Sequence, residues 1–294
     1  MNQQEWLARQ FEDQRPHLRA VAYRMLGSLS EAEDAVQDAW LRLSRADTSE
    51  VENLRAWLTT VVARVALNTL RSRKTRREQS LDVHVPDPIV DPADGTSPEH
   101  EALLADSVGL ALLVVLETLT PAERLAFVLH DMFAVPFDDI APIVERSPDA
   151  TRQLASRARR RVRGADRVPD ADLTAQWEVV EAFQAAARNG DFEALVAVLH
   201  PEVVLRSDGG GLTGLSRHIR GAEAVAGQAM FWESQADLVM RRALINGVPG
   251  GVAFRDDKPF SVGAFTIKNG KIVEIDFLAD PERIAQLDLT VLED

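Results

Sequence analysis

Residues 151–163 read TRQLASRARRRVR, and this stretch limits what the chain can fold into and bind more than any other. Six of its thirteen residues are arginine and none is acidic. Leu154, Ala158 and Val162 recur every four positions, so a helix would place them on one face and most of the arginines on the others. The preceding Ser147-Pro148 is typical of a helix start, with the serine as N-cap.

A shorter amphipathic segment precedes this helix. Phe137–Val144 (FDDIAPIV) would place Ile140, Ile143 and Val144 inward. Two short helices joined by residues 145–147 predict a helix-turn-helix whose second helix carries the positive charge. Because that charge has a single sign, major-groove DNA recognition fits it better than the alternative of an arginine-rich helix that only faces solvent.

Composition excludes several classes of function. The 294 residues allow two or three domains, and the lack of cysteine excludes disulfides, thiolate metal sites and cysteine nucleophiles. The first thirty residues carry acidic side chains and no apolar run could span a bilayer, so we expect a cytoplasmic protein without a signal peptide or a membrane partner. His130 has no metal partner at a suitable spacing, and we expect neither a metal nor a cofactor.

The distribution of charge is uneven. The net charge is −13, which is unusual for a DNA-binding protein. Positive charge is concentrated in residues 71–77 and in residues 148–167, where seven arginines stand against two acidic residues. Acidic surroundings weaken nonspecific DNA binding. We therefore hypothesise that the DNA affinity of the chain depends on a partner or is held in check.

Residues 5–73 predict three helices. The first runs from about Trp6 to Leu26, and the second is capped by Ser30 and has acidic residues in its first turn. The second helix has a mixed acidic and apolar face, which is either a solvated surface or a protein docking site. After a polar loop at 47–52, the third helix, from Leu54 to about Arg73, ends in more cations than helix capping requires, which favours nucleic-acid contact.

Residues 79–98 contain four prolines and four aspartates and predict an extended linker. Its segment VPDPIV (85–90) is apolar enough to dock on another part of the chain. Residues 99–131 are predicted to be helical, with a helix start at Thr120-Pro121. The helix-turn-helix then completes a four-helix domain near Arg163.

These stretches resemble, in order, the two conserved domains of bacterial extracytoplasmic-function sigma factors. The resemblance rests on EDAVQDAWLRL (33–43) and on residues 53–73, 119–144 and 147–163, and it covers residues 5–165. It implies that the chain binds promoter DNA and core RNA polymerase, the latter through the beta-prime clamp and the beta flap. It also implies a role for the 44–53 loop in capturing and melting the minus-ten element, which requires unstacked bases and a cationic path for the strand.

The resemblance assigns roles to individual residues. The residues expected to bind polymerase are Asp34, Gln37, Asp38, Trp40 and Leu41. Those expected at the minus-ten element are Asn53, Arg55, Asn68, Arg71, Arg73 and Lys74. Those expected at the minus-thirty-five element are Arg152, Gln153, Ser156, Arg157, Arg160 and Arg161. Arginine suits guanine and glutamine suits adenine, but the sequence leaves open which of these arginines touch phosphate and which touch bases.

Residues 168–294 predict helices first and strands afterwards. The helices are 173–188, 192–199 and 221–232, with strands at 201–208, 238–245, 251–255, 260–267 and 271–277. Asn246-Gly247 and Asn269-Gly270 are hairpin turn signals. This order predicts an α+β cone with a cavity, and it resembles the SnoaL-like branch of the nuclear-transport-factor-2-like fold.

That fold hosts enzymes as well as non-catalytic modules, so it does not fix the function. Asp208, His218 and Asp276 are the candidates for an acid–base pair. Each has a structural alternative, because Asp208 precedes a glycine turn, His218 is expected in a polar loop and Asp276 on an outer strand face.

Three short motifs resemble those of the sigma-J-like group, whose members carry such a domain at the C-terminus. The motifs are VPDPIV, DGGG (208–211) and DPERI (280–284). The first departs from the group by His84-Val85 at its start, and the third by conservative changes that keep the proline. The resemblance implies that the extra domain acts in place of a separate anti-sigma protein. The implied regulatory contacts are Val85, Pro86, Asp87, Pro88, Asp208, Gly209, Gly210, Gly211, Asp280, Pro281, Glu282 and Arg283.

We therefore predict a multidomain, non-enzymatic sigma factor. Two all-α sigma domains (1–78 and 99–167) are joined by a linker (79–98) and followed by an α+β SnoaL-like regulatory domain (168–294). One alternative is a one-component DNA-binding regulator whose C-terminal cavity binds a small ligand. The other is a SnoaL-type enzyme with a DNA-binding appendage.

Overall fold

The computed structural model describes residues 3–46, 53–77, 83–94, 109–165, 169–212, 214–235 and 238–292. The predicted loop at 47–52 and much of the helix predicted from residue 99 lie outside these residues. The chain forms two compact units. The first comprises residues 1–80, 99–106 and 115–165, and the second comprises residues 81–98, 107–114 and 166–294. The linker thus belongs to the same unit as the C-terminal residues.

The first unit begins with three helices that pack against one another. They are α1 (Gln3–Leu26), α2 (Leu29–Leu43) and α3 (Leu54–Arg77). The predicted cap of α2 was wrong by two residues. Gly27 adopts a left-handed conformation at φ 68°, so the helix begins earlier and Ser28, not Ser30, accepts a hydrogen bond from the Glu31 amide at 3.5 Å.

Four more helices of the described residues follow, from residue 109 to residue 165. They are α4 (Leu110–Glu117), α5 (Pro121–Phe127), α6 (Phe137–Val144) and α7 (Pro148–Ala165), with a π-helical turn at Val128–Met132. The predicted helix-turn-helix is confirmed as α6 and α7. Glu145, at φ 57°, ends α6, and the Ser147 hydroxyl accepts from the Ala150 amide at 3.2 Å as the predicted N-cap.

Within the first unit, α5 is tied to α1 by a buried arginine. Arg124 donates from Nε and Nη2 to the carbonyl oxygen of Arg24 at 3.2 and 3.1 Å. Phe133, just after the π-helical turn, meets the His17 ring edge-on at 5.3 Å between centroids. A buried guanidinium satisfies a helix-end carbonyl here, so the contact fixes the relative position of these helices.

The second unit is a mixed sheet with helices on one face, which confirms the predicted α+β class. Its helices are α8 (Leu173–Asn189), α9 (Phe192–Val198), α10 (Ala222–Gln235) and the short α11 (Pro281–Ile284). Its strands are β1 (Val90–Asp91), β2 (Leu199–Asp208), β3 (Arg217–Arg220), β4 (Val239–Ile245), β5 (Val248–Arg255), β6 (Lys258–Lys268) and β7 (Lys271–Leu278). The described strands follow the order β1-β4-β5-β6-β7-β2-β3, and all neighbours are antiparallel except β2 and β7.

Hairpin turns and an apolar cluster shape this unit. Both Asn-Gly pairs have positive φ at both residues, which matches the twist of the flanking strands. Asp256-Asp257 forms a third such turn, which the sequence did not signal. Helices α8, α9 and α10 cover one face of the sheet through a cluster that includes Val180, Leu205 and Phe265.

Among the described residues, no helix is both long and apolar enough to cross a membrane.

Candidate nucleic-acid and polymerase interface

Helix α7 presents the predicted minus-thirty-five residues on one exposed surface. Thr151, Ala155 and Ala158 form its buried side, with Leu154 and Val162 half-buried beside them. All six predicted residues are exposed, namely Arg152, Gln153, Ser156, Arg157, Arg160 and Arg161. Spacings of four and five residues bring these six together on the helix, as the sequence predicted.

Two of these arginines are held by a buried carboxylate. Arg157 donates from Nε to Glu123 Oε1 at 3.1 Å, and Arg161 donates from Nη1 to Oε2 at 3.0 Å. Glu123 is also the third residue of the capping box that starts at Thr120. Burial by itself raises the pKa of Glu123, but the hydrogen bonds of Thr120 and Arg157 and the charge of Arg161 outweigh it, so the pKa lies below its usual value.

Arg152 lies on an aromatic platform. Its guanidinium is 5.7 Å from the centroid of Phe137, and it pairs with Asp149 one turn earlier. The same Phe137 ring stacks with His130, with 3.8 Å between the ring centroids. His130 Nδ1 lies 3.0 Å from the carbonyl oxygen of Val135, which agrees with a structural role for this histidine.

The predicted minus-ten residues within α3 fall into two groups. Arg55, Asn68 and Arg71 are exposed. Arg73 is instead half-buried, and it donates from Nη1 to the Leu26 carbonyl at 2.8 Å and from Nε to Glu31 at 3.1 Å. It thus satisfies the end of α1 and pairs with α2.

The remaining two predicted minus-ten residues are Asn53 and Lys74. Asn53 caps α3, because its Oδ1 accepts from the Ala56 amide at 3.0 Å. The side chain of Lys74 lies outside the residues whose side chains the structure describes. Among the described side chains, Asn53, Arg55, Asn68 and Arg71 are therefore the exposed part of the predicted set, and Asn53 also caps α3.

A histidine that no sequence pattern indicated orients Arg55. Arg55 Nη2 lies 3.0 Å from His17 Nδ1, and His17 Nε2 lies 3.1 Å from the hydroxyl of Thr59. Thr59 donates to the Arg55 carbonyl at 2.8 Å, so its oxygen is left to accept from His17 Nε2. Burial, helped by the charges of Arg55 and Arg24, lowers the pKa of His17 to about 4. His17 is therefore neutral and accepts from Arg55.

The predicted polymerase-binding helix α2 has one continuous exposed stripe. Asp34, Gln37, Asp38 and Leu41 are exposed at spacings of three and four residues, and Leu41 is 43% exposed. Trp40 is half-buried against Phe11 of α1, with 5.2 Å between the ring centroids. Four of the five predicted residues are thus exposed to a partner, whereas Trp40 packs α2 against α1.

In the second unit the three predicted regulatory motifs meet at one place. Asp208 accepts from the Val85 amide at 3.0 Å through Oδ2 and from the Gly210 amide at 3.0 Å through Oδ1. Arg283 donates to Asp208 at 2.8 Å, to Asp87 at 2.7 Å and to the Val85 carbonyl at 2.6 Å. We call Val85, Asp87, Asp208 and Arg283 the linker cluster. It joins residues that are up to 198 positions apart in the sequence.

The surroundings of the linker cluster explain why an ionised aspartate at 208 and a glycine at 210 are needed. Asp208 is 4% exposed. Burial alone raises the pKa of its carboxyl, but contacts with His84, Val85, Gly210 and Arg283 lower it to about 2. Gly210 has φ 57°, and a Cβ there would lie 2.2 Å from the Asp280 carboxylate, so only glycine fits.

Asp280 starts the helix that carries Arg283. Its Oδ1 accepts from the Glu282 amide at 2.9 Å as the N-cap of α11, and Pro281 occupies the first helical position. The Asp-Pro-Glu-Arg motif thus forms a short capped helix, and that helix directs Arg283 at the linker.

The acid–base candidates do not form a pair in the apolar interior. Leu205 and Ile275 belong to the apolar cluster, so their neighbours Arg206 and Asp276 point to the opposite face of the sheet. Arg206 donates to Asp276 at 3.0 Å and also pairs with Glu274. Burial raises the pKa of Asp276, and the charge and hydrogen bond of Arg206 offset this only in part.

One expectation for these candidates was wrong. His218 lies in β3 rather than in a loop, because Arg206 and His218 are paired across β2 and β3. Asp276 does point away from the apolar cluster, but it is only 1% exposed. The alternation of charged and apolar residues in β7 (KIVEIDFL) was the signal that could have grouped Glu274 with Asp276.

Comparison with known proteins identifies the family of the chain. The model of Sigma-70 region 2 matches residues 11–76, and the model of Sigma-70 region 4 matches residues 109–162. The chain is 39% identical over 288 residues to the ECF RNA polymerase sigma factor SigJ of Mycobacterium tuberculosis, which covers 93% of this chain and 92% of that protein. It is 35% identical over 291 residues to the probable ECF RNA polymerase sigma factor SigI of the same species, with 98% of each chain covered.

The solved structures include a similar protein. The crystal structure of the extracytoplasmic function sigma factor SigJ of Mycobacterium tuberculosis superposes with a TM-score of 0.75 and 35% identity, and the match covers 96% of this chain and 99% of that chain. This chain therefore belongs to the extracytoplasmic-function family of RNA polymerase sigma factors. Its sigma regions bind core RNA polymerase and promoter DNA, and its C-terminal unit has the SnoaL-like α+β fold.

Proposed function

We propose that the SnoaL-like unit regulates the sigma regions of its own chain through the linker cluster. The observation that carries this proposal is the position of Arg283, which contacts Val85, Asp87 and Asp208 together. Residues 85–87 lie in sequence between sigma region 2 and sigma region 4. A contact that holds this segment restricts the lengths of chain available to the two sigma regions.

Arg283 is not the only residue that holds the described part of the linker. Val90 and Asp91 pair with Ile245 and Leu244 as the edge strand of the sheet. The Ile89 amide donates to Asn246 Oδ1 at 3.0 Å, and the Asn246 amide donates to the Ile89 carbonyl at 2.9 Å. These contacts continue the linker cluster along the sheet edge, so we propose that residues 83–91 bind and release together.

The exposed stripe of α2 is proposed as the surface for the beta-prime clamp. The exposed Leu41 lies one turn after Gln37 and Asp38, so the stripe offers apolar contact next to polar and charged groups, a combination found at interfaces. Region 4 is proposed to bind the beta flap.

For the promoter, we propose that Arg55, Asn68 and Arg71 of α3 contact the minus-ten element. Arg73 supports that surface from within the protein, and the exposed Asn53 caps the start of α3. The exposed surface of α7 is proposed to read the minus-thirty-five element from the major groove, where arginine and glutamine have distinct base partners. The division into residues 1–78, 79–98, 99–167 and 168–294 remains part of this proposal.

The test is transcription in vitro with purified core polymerase, on a promoter selected from random DNA with the wild-type chain. Arg283→Gln removes the charge that faces Asp87 and Asp208. Arg220→Gln is the matched control, because Arg220 belongs to the same unit but forms only an exposed pair with Glu202. We expect Arg283→Gln to change transcript yield and Arg220→Gln to leave it unchanged. Equal yields from all three proteins would refute regulation through the linker cluster.

A further inference from the structure

Glu123 connects the helix before the helix-turn-helix with the recognition helix. It is 4% exposed in the first turn of α5, and its two oxygens accept from different arginines of α7. Thr120 adds its amide at 3.1 Å and its hydroxyl at 2.8 Å, both to Oε2. A single buried carboxylate thus fixes the start of α5 and two arginines of the proposed minus-thirty-five surface.

Both arginines keep an exposed side. The side chain of Arg157 is 47% exposed and that of Arg161 is 52% exposed. Arg157 contacts Glu123 through Nε, which leaves Nη1 and Nη2 for an external partner. A pair of terminal N–H groups is the part of arginine that can bind O6 and N7 of guanine together.

An arginine without such a tether has many rotamers, and it can reach phosphates at many positions on DNA. Phosphate contacts raise affinity for any sequence, whereas base contacts distinguish sequences. A tether therefore reduces the entropy lost when the arginine meets a base edge, and it also keeps the charge away from phosphates that lie elsewhere.

We infer that Glu123 is a positioning residue that sets the DNA specificity of this chain by holding Arg157 and Arg161 toward the major groove. The inference rests on the proposed role of α7 at the minus-thirty-five element.

The substitution Glu123→Gln separates this role from the folding role of the residue. Glutamine serves in the same position of a capping box, so α5 keeps its cap with Thr120. The neutral amide has one acceptor oxygen in place of two, so it cannot hold both arginines, and it removes the charge that attracts them.

A matched control lies on the same recognition helix. Arg159 donates from Nε to Asp131 at 2.5 Å, but Arg159 is outside the proposed DNA-contact set. Asp131→Asn therefore removes a carboxylate charge that is paired with another arginine of α7. A general change in the electrostatic field would affect both variants, whereas a positioning role would affect Glu123→Gln alone.

The experiment uses holoenzyme assembled from core polymerase and the full chain. The probes are a duplex promoter selected with the wild-type holoenzyme and the same duplex with its minus-thirty-five element scrambled. The dissociation constant of the scrambled probe divided by that of the selected probe measures specificity. The slope of the logarithm of the association constant against the logarithm of the salt concentration counts phosphate contacts. Glu123→Gln should lower the ratio about tenfold, and it should steepen the slope by about one for each arginine that gains a phosphate. Asp131→Asn should preserve the ratio.

A double-variant comparison tests whether Glu123 acts through Arg157. Arg157→Lys keeps the charge but loses the planar fork, so Glu123→Gln should have a much smaller effect in that background. A thermal unfolding curve for each variant checks that it is folded.

Three outcomes would overturn the inference: an unchanged ratio in folded Glu123→Gln, an equal loss of specificity in Asp131→Asn, or additive effects with Arg157→Lys. A wild-type holoenzyme that does not distinguish the two probes would instead refute the proposed function of α7.

Discussion

Arg283→Gln should release residues 83–91 from the second unit and leave the sheet folded. The guanidinium of Arg283 lies between two carboxylates, Asp87 and Asp208, whose side chains are 10% and 6% exposed. Removing one partner from a buried ion pair costs about 3–5 kcal/mol, because the remaining charges stay buried without compensation. Arg283 itself is 20% exposed, so we expect the lower end, about 3 kcal/mol.

Hydrogen exchange of the linker measures this loss directly. The Val85 amide is protected by Asp208 and the Ile89 amide by Asn246. If the linker opens as a unit, a loss of about 3 kcal/mol should speed the exchange of both amides roughly a hundredfold. Strands β5 to β7 should keep their protection in the same sample.

Arg220→Gln again serves as the control, because the loss of an exposed ion pair changes stability little. Linker exchange that is the same in Arg283→Gln and in the wild-type protein would refute the assigned role of the cluster. Equal acceleration in both variants would show that the effect is not specific to Arg283.

Three further predictions concern the docking helix, an acid-sensitive histidine and a glycine. Asp38→Arg reverses the charge of the α2 stripe and should abolish binding to core polymerase without lowering Tm; retained binding in a pull-down would contradict the docking surface. Because His17 is neutral in the fold, the unfolded chain binds more protons, so the first unit should lose on the order of 2 kcal/mol of stability as the pH falls from about 6.5 to about 4. Urea unfolding across this range measures that loss, His17→Gln should reduce it, and an equal slope in both proteins would contradict the assignment. Gly210→Ala should destabilise the second unit by roughly 1–3 kcal/mol, since its Cβ would meet Asp280 at a left-handed φ, and an unchanged Tm would contradict this strain.

Local patterns carried much of the fold. The four-residue recurrence of Leu154, Ala158 and Val162 predicted the inward-facing side of α7 approximately, because helical periodicity depends only on near neighbours: Ala158 is buried, and Leu154 and Val162 lie half-buried beside it. The Asn-Gly pairs identified two hairpins for the same reason, since asparagine and glycine tolerate the positive φ that these turns need. The Asp256-Asp257 turn was missed because aspartate adopts that conformation less often and gives a weaker signal.

The internal partners of charged residues were beyond the sequence pattern. Arg73 and Arg157 belong to basic clusters that resemble DNA-binding segments, yet each also contacts a glutamate 42 or 34 positions away. Exposure to solvent and contact with an acid have the same sequence signature, because both require only a charged residue on a polar helix face. The resemblance to sigma factors grouped Asp208 with Arg283, but only the fold shows that both residues contact the linker.

Transcription in vitro would show whether the chain is a sigma factor that its SnoaL-like unit regulates. Core polymerase would be combined with the full-length chain, or with a chain that ends near residue 167, on a promoter selected with the full-length chain. We expect promoter-specific transcripts with the full-length chain and a different yield from the shorter one, because the shorter chain lacks Asp208 and Arg283. Absence of transcripts from both chains, together with absence of binding to polymerase, would contradict this expectation and would favour a one-component DNA-binding regulator.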